Sequence, residues 1–421
     1  MRNAAIIGGG NIGTYLACVL ADKGFDVNIY TSRPEQWHNL ITAHNDDGSV
    51  ITGRISLASD NIAKVLNHRE IIFITYPASL FGELAKLITP YVQAGSLIGI
   101  IPGSGGAEFQ FQECINNGAV LFGLQRVPVI ARVINYGQSV MASGKKDRLK
   151  LAAIPASESQ RIPVIISNLF DIPCDSLANY LNVTLTPSNP VLHTSRLRTL
   201  FQDYHEGMTY PENFLFYGSW DNEASRLLFE LDDELQNLCR VINLDLSQVK
   251  SLREHYESNS PEALTRKIQS IESLNKLSSP MKKLRDGNWI PDFDSRYFTS
   301  DFPFGLAIIH SIAELFDFNA PAIRQTMQWY REITRDNNCF RLGDFGIDST
   351  EKFYRIYHEK FTQKGLDKMI SAATIDKTRQ DKTRQDKTRQ DKTRQDKTRQ
   401  AITLLIYNNL HNHKIQSEAA A

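Results

Sequence analysis

Short apolar runs separated by glycine-rich turns mark the first half of this chain. Longer stretches with three- and four-residue apolar spacing mark the second. Ala4 to Ile7 and Phe25 to Tyr30 read as buried strands, with the helical spacing of TYLACVLADKG between them, ending at Gly24. EIIFITYPASL (70–80) and GSLIGIIPGSGGAEF (95–109) each hold a further near-continuous apolar run, the pattern of parallel strands covered on both faces. VLFGLQRVPVIARV (120–133) and QSVMASGKKDRLKLAAIP (138–155) are expected to complete the same sheet. From about residue 190 the period becomes helical, clearest in 219–244 and 303–318. DLSQVKSLREHY and SPEALTRKIQSIESL predict further helices. The expected architecture is an α/β half followed by an all-α half.

The first strand runs into G-x-G-x-x-G at Gly8, Gly10 and Gly13, with Asn11 and Ile12 between the last two. Strand, helix and second strand surround these glycines at the spacing of a βαβ unit, which predicts a Rossmann-type dinucleotide-binding domain. Gly8 allows the tight turn, Gly10 lets a pyrophosphate approach the backbone, and Gly13 lets helix pack on strand. The helix N-terminus then faces the pyrophosphate. The second strand ends in YTSRP, so Thr31, Ser32 and Arg33 stand where an acid would bind a free ribose. Two hydroxyls and a guanidinium suit a 2′-phosphate, which points to NADP ahead of NAD. The turns at Pro77 and at Pro102–Gly103 follow later strands and are placed to line a nicotinamide pocket.

At 421 residues, two domains are the default. Lysine plus arginine balances aspartate plus glutamate at 47 each, so no bulk charge selects a nucleic acid or a membrane as partner. Five scattered cysteines without a C-x-x-C predict reduced thiols and no metal site, and with no signal-peptide pattern they suit a cytoplasmic protein. Residues 376–400 are five copies of DKTRQ with no apolar stripe. The expected division is 1–182 for the dinucleotide, 183–372 as a helical substrate and catalytic domain, and 373–421 as a disordered low-complexity tail. The oligomeric state stays open, a homodimer being one option.

In LTPSNPVLHTSRL, Asn189 and His193 are four apart and share a helix face, with Pro190 at the first helical turn and Asn189 as its cap. Spacing alone favours a capping asparagine and an ordinary polar histidine. Together with GGGNIG, IPGSGGAEF and SRYFTSDFPFGL, however, NPVLH resembles the octopine/nopaline (opine) dehydrogenase family over roughly residues 1–345. The resemblance implies reductive condensation of an α-keto acid with the amine of an amino acid at the expense of NAD(P)H. It implies His193 as general acid/base, Asp301 as the carboxylate orienting it, Arg296 as a clamp for a substrate carboxylate, and Asn189 as a hydrogen-bond partner of the keto oxygen or carboxylate. Thr194 stands where family members commonly have proline, and 120–135 is only loosely similar. Arg126, Arg132, Arg196 and Tyr297 are further candidates by position.

Two other readings share the fold. One is a simple keto-acid reductase resembling ketopantoate reductase, which relies on a helix lysine. The other is a silent dinucleotide-binding protein, which would have no need of His193 or Asp301.

Overall fold

Parallel strands build outward from a central β1 (Asn3–Ile7) in the computed structural model, which describes residues 2–357. The other strands of the main sheet are β2 (Asp26–Tyr30), β5 (Leu57–Ser59), β6 (Ile71–Ile74), β7 (Leu97–Ile100), β8 (Val120–Leu124), β11 (Leu149–Ile154) and β12 (Cys174–Ser176). Their order is β12-β11-β8-β7-β6-β1-β2-β5. From β8 to β5 every pairing is parallel, and β11 turns antiparallel to β8. Reversal of strand order at β1 opens a crevice beyond the carboxyl ends of the strands, where open α/β sheets bind ligands.

Alternation along the strands divides the core. Ala5, Ile7, Ile72 and Ile74 face one apolar cluster, while Ala4, Ile6, Ile71 and Phe73 face the other. The first cluster continues without a break into the helical half, through Tyr180, Leu181, Val183 and Val191 to Trp220, Leu228 and Phe302. The boundary expected at 182–183 falls inside a buried helical turn, Leu181–Thr184, and residues 2–357 lie within one compact unit. The expected end of the helical half at 372 and the repeat tail lie outside the described residues.

Two expectations about strands are corrected. The strands expected from 120–133 and 138–155 do not all join the main sheet. β9 (Ile130–Asn135) and β10 (Ser139–Ser143) instead form a separate four-stranded sheet with β3 (Leu40–Asn45) and β4 (Val50–Arg54), in the order β4-β3-β10-β9. Exposed Ile130, Ile134 and Met141 explain why: these strands bury only one face, against the first helix. The helical half also holds one two-stranded ribbon, β13 (Met281–Lys283) with β14 (Trp289–Pro291). Among the described residues no helix is long and apolar enough to cross a membrane.

Candidate active site

The glycine turn sits at the carboxyl end of β1 as its sequence requires. Gly8 has φ +118°, a left-handed conformation that disfavours a side chain, and a Cβ on Gly13 would overlap the Gly8 carbonyl oxygen. The space over Gly10 is open. The helix Asn11–Asp22 begins there, and no side chain caps its first N–H groups. Those groups and the open backbone fit a pyrophosphate. Asn11 turns elsewhere: its Oδ1 accepts from the Val133 N–H at 2.9 Å, tying the turn to β9. Ile12 packs against the apolar cluster on that side.

Beyond β2, Thr31 is buried, and its hydroxyl lies 2.6 Å from that of Tyr136. Ser32 and Arg33 are exposed, and the Arg33 guanidinium lies 3.8 Å from the centre of the Tyr136 ring. Tyr136 in turn meets Trp37 edge-on. Such stacking holds an exposed guanidinium flat while leaving its N–H edge free. Tyr136 had no local signal in the sequence, because the strand pairing that carries it here is non-local.

On the neighbouring strands, Pro77 opens the turn after β6. Pro102 and Gly103 follow β7, where the Gly103 N–H donates to Leu124 O at 2.8 Å and Gly103 O accepts from the Tyr180 hydroxyl at 3.0 Å. This turn is thereby fixed beside the end of β8.

His193 lies in the helix Asn189–Leu200. That helix starts one residue earlier than expected: Ser188 is the cap residue and Asn189 the first helical one, exposed one turn before His193. An Asp301 neighbour was expected only through resemblance. Here His193 Nδ1 lies 2.7 Å from Asp301 Oδ2, across 108 residues of chain. Gly305 makes that approach possible, since a Cβ there would come within 2.9 Å of the Pro190 ring. The wide turn Phe302–Leu306, closed by Leu306 N–H donating to Asp301 O, packs on the His193 helix through this gap.

The other ring nitrogen, Nε2, lies 2.8 Å from the Tyr217 hydroxyl. Burial, ahead of Tyr297, Tyr256 and Asp301, pushes that hydroxyl far above its ordinary range, so it stays protonated. Tyr217 was missed from sequence. Arg196 puts it in place: the buried guanidinium donates to Phe216 O, Ser219 O and Asp221 Oδ2, gathering loop 216–221 against the helix. The Arg196 candidate is therefore a strut. Tyr297 packs on the His193 ring at 4.5 Å between centroids, and Phe216 meets the ring edge-on. Exposed Arg296 precedes Tyr297, and the charges of Arg132 and Arg296 are both felt at its hydroxyl. Trp220 is buried in the core.

Comparison with known proteins finds a match in each half of the chain. The alpha-helical domain of NAD/NADP octopine/nopaline dehydrogenases matches residues 176–334, and the N-terminus of NAD-dependent glycerol-3-phosphate dehydrogenases matches residues 3–107. The opine dehydrogenase of Haliotis discus hannai is 25% identical over 365 residues, covering 77% of this chain and 88% of that protein. The tauropine dehydrogenase of Arabella iricolor is 23% identical over 361 residues, covering 78% and 90%. Octopine dehydrogenase solved with NADH and L-arginine superposes with a TM-score of 0.75 at 20% identity, over 86% of this chain and all of that one, a likeness of fold. With an open dinucleotide turn on one half and a match to the octopine/nopaline dehydrogenase helical domain on the other, the chain is an NAD(P)-dependent oxidoreductase similar over most of its length to opine dehydrogenases.

Proposed function

We propose that the chain joins an α-keto acid to the amine of an amino acid by NAD(P)H-dependent reductive condensation, with His193 as acid/base and Asp301 as the carboxylate that orients it. The bond between His193 Nδ1 and Asp301 Oδ2 carries this reading. Asp301 accepts from Nδ1–H, which sets the tautomer and supports the imidazolium. Attack of the amine nitrogen on the keto carbon releases a proton, and departure of the resulting hydroxyl as water consumes one. The Tyr217 hydroxyl on Nε2 relays these protons, giving its own to the ring as it takes the amine's and recovering it as it protonates the leaving hydroxyl, so that His193 cycles between imidazole and imidazolium. Arg296 holds the keto acid's carboxylate, and Asn189 hydrogen-bonds its keto oxygen or carboxylate. Tyr297 and Phe216 wall the ring and limit water, which otherwise hydrolyses the imine. Bound NAD(P)H supplies the hydride for the C=N carbon.

Gly8, Gly10 and Gly13 would hold the cofactor's pyrophosphate, and Pro77, Pro102 and Gly103 would line the nicotinamide end. Arg33, kept flat by Tyr136, and the exposed Ser32 favour NADPH over NADH. Thr31 supports them through Tyr136.

A histidine–aspartate pair favours condensation over the lysine-dependent keto reduction. The test is oxidation of NADPH and NADH by purified protein with pyruvate, 2-oxoglutarate or glyoxylate, each alone and with pooled amino acids. Oxidation that requires both substrates is expected, and is expected to be faster with NADPH. Oxidation with keto acid alone, or none with any pair, contradicts the proposal.

A further inference from the structure

Arg126 has no role in the chemistry above. It stands two residues past Leu124, whose carbonyl accepts from the Gly103 N–H, so it lies at the carboxyl end of β8 beside the Pro102–Gly103 turn. The preceding Gln125 ties this point to the helical half, donating to Thr186 Oγ1 at 2.9 Å and to Gln248 O at 3.2 Å. Arg126 is therefore anchored where the two halves face each other. It is half-buried, and its guanidinium makes no hydrogen bond or ion pair among the described residues. Burial depresses it below its ordinary range, with Tyr256 partly offsetting this. A desolvated guanidinium without an anion is costly to keep.

Thr186, bonded to Gln125, stands three residues before Asn189, so Arg126 is carried beside the start of the His193 helix. The surroundings repeat the same sign. The charged side chains acting on Tyr217, Tyr256, Tyr297 and His255 are Arg126, Lys146, Arg132, Arg296 and Asp301. Asp301 is committed to His193. The carboxylates flanking Tyr256 are engaged elsewhere, Glu254 with Lys250 and Glu257 with Lys267. No carboxylate in this group is left for a cationic side chain of a substrate.

We infer that Arg126 is a second anion subsite, in addition to Arg296, and that it binds the carboxylate of an amine donor whose side chain carries no positive charge. The inference rests on the condensation reading. Two carboxylates, one on each guanidinium, bring the amine and the keto carbon together beside His193.

The test compares wild type with Arg126→Gln and Arg126→Lys, using full-length chain and NADPH. Binding is read first, by titrating the fluorescence of the NADPH complex with alanine, glutamate, arginine and ethylamine. Alanine and glutamate are expected to bind at least about tenfold more tightly than arginine or the carboxylate-free ethylamine. Arg126→Gln is expected to remove that advantage for alanine while leaving ethylamine unchanged, and Arg126→Lys to restore part of it. Equal binding of arginine and alanine, or equal alanine binding by wild type and Arg126→Gln, overturns the inference. Turnover with pyruvate is read separately. Failure of every amine–keto acid pair contradicts the condensation reading, while the binding comparison still decides on Arg126.

Discussion

At the scale of single residues, the account depends on an imidazole held from both sides. Asp301→Asn keeps the shape but removes the charge that supports the imidazolium. It is expected to lower kcat/KM by about a hundredfold or more while NADPH affinity is unchanged. Equal losses in cofactor binding would instead mark Asp301 as structural. Arg33 makes an independent claim. Arg33→Asp removes the cation stacked on Tyr136 and repels a 2′-phosphate. The ratio of kcat/KM for NADPH to that for NADH is expected to fall by roughly tenfold to a hundredfold. No change in the ratio would return Arg33 to a surface arginine.

At the scale of elements, close packing decides where the chemistry falls. Gly305 lies against Pro190, and Asp301 reaches His193 only because that turn can come so close. Gly305→Ala is expected to cost about 1–3 kcal/mol of stability by overpacking. It should also depress kcat, because displacement of the turn lengthens the Asp301–His193 bond. Thermal unfolding and kinetics on the same preparation separate the two effects, and a variant with wild-type kcat would refute the coupling. The same scale shows what the sequence could reveal. The glycine turn was legible because strand, turn and helix are consecutive and each glycine answers a local steric demand. The small sheet was not, because β10 pairs with β3 from nearly a hundred positions away, and nothing local tells which sheet a one-faced strand joins. Tyr217 was hidden for a related reason: its place depends on the Arg196 strut reaching three loop carbonyl and carboxylate oxygens. The pairing of His193 with Asp301 was available only through family resemblance, since spacing alone treats the histidine as an ordinary polar residue.

At the scale of the whole molecule, one buried carboxyl links distant parts of the chain. Glu108 accepts from the Thr184 hydroxyl at 2.6 Å, at the junction of the halves, and from the Tyr357 hydroxyl at 3.1 Å, in the last described helix. Its other oxygen has no partner. Burial outweighs these bonds and raises its pKa from 4.5 to about 7. A carboxyl with a raised folded-state pKa keeps its proton in the folded chain after the unfolded chain has lost it. Its contribution is therefore fully present below pH 4.5 and declines as pH rises toward 7, by roughly 3 kcal/mol in all. Asp232, raised to about 6 mainly by burial, adds in the same direction. Glu108→Gln is expected to flatten the fall in stability between these pH values, measured by denaturant unfolding. An unchanged slope would show that Glu108 ionises freely in the folded protein.

The central claim is that hydride reaches a carbon already bonded to nitrogen. The most direct measurement follows deuterium from C4-labelled NADPH into product by mass spectrometry, with pyruvate and a neutral amino acid as substrates. The account predicts label in a secondary amine, on the carbon that was the keto carbon, with none in lactate. Label in lactate with the amino acid untouched would contradict it.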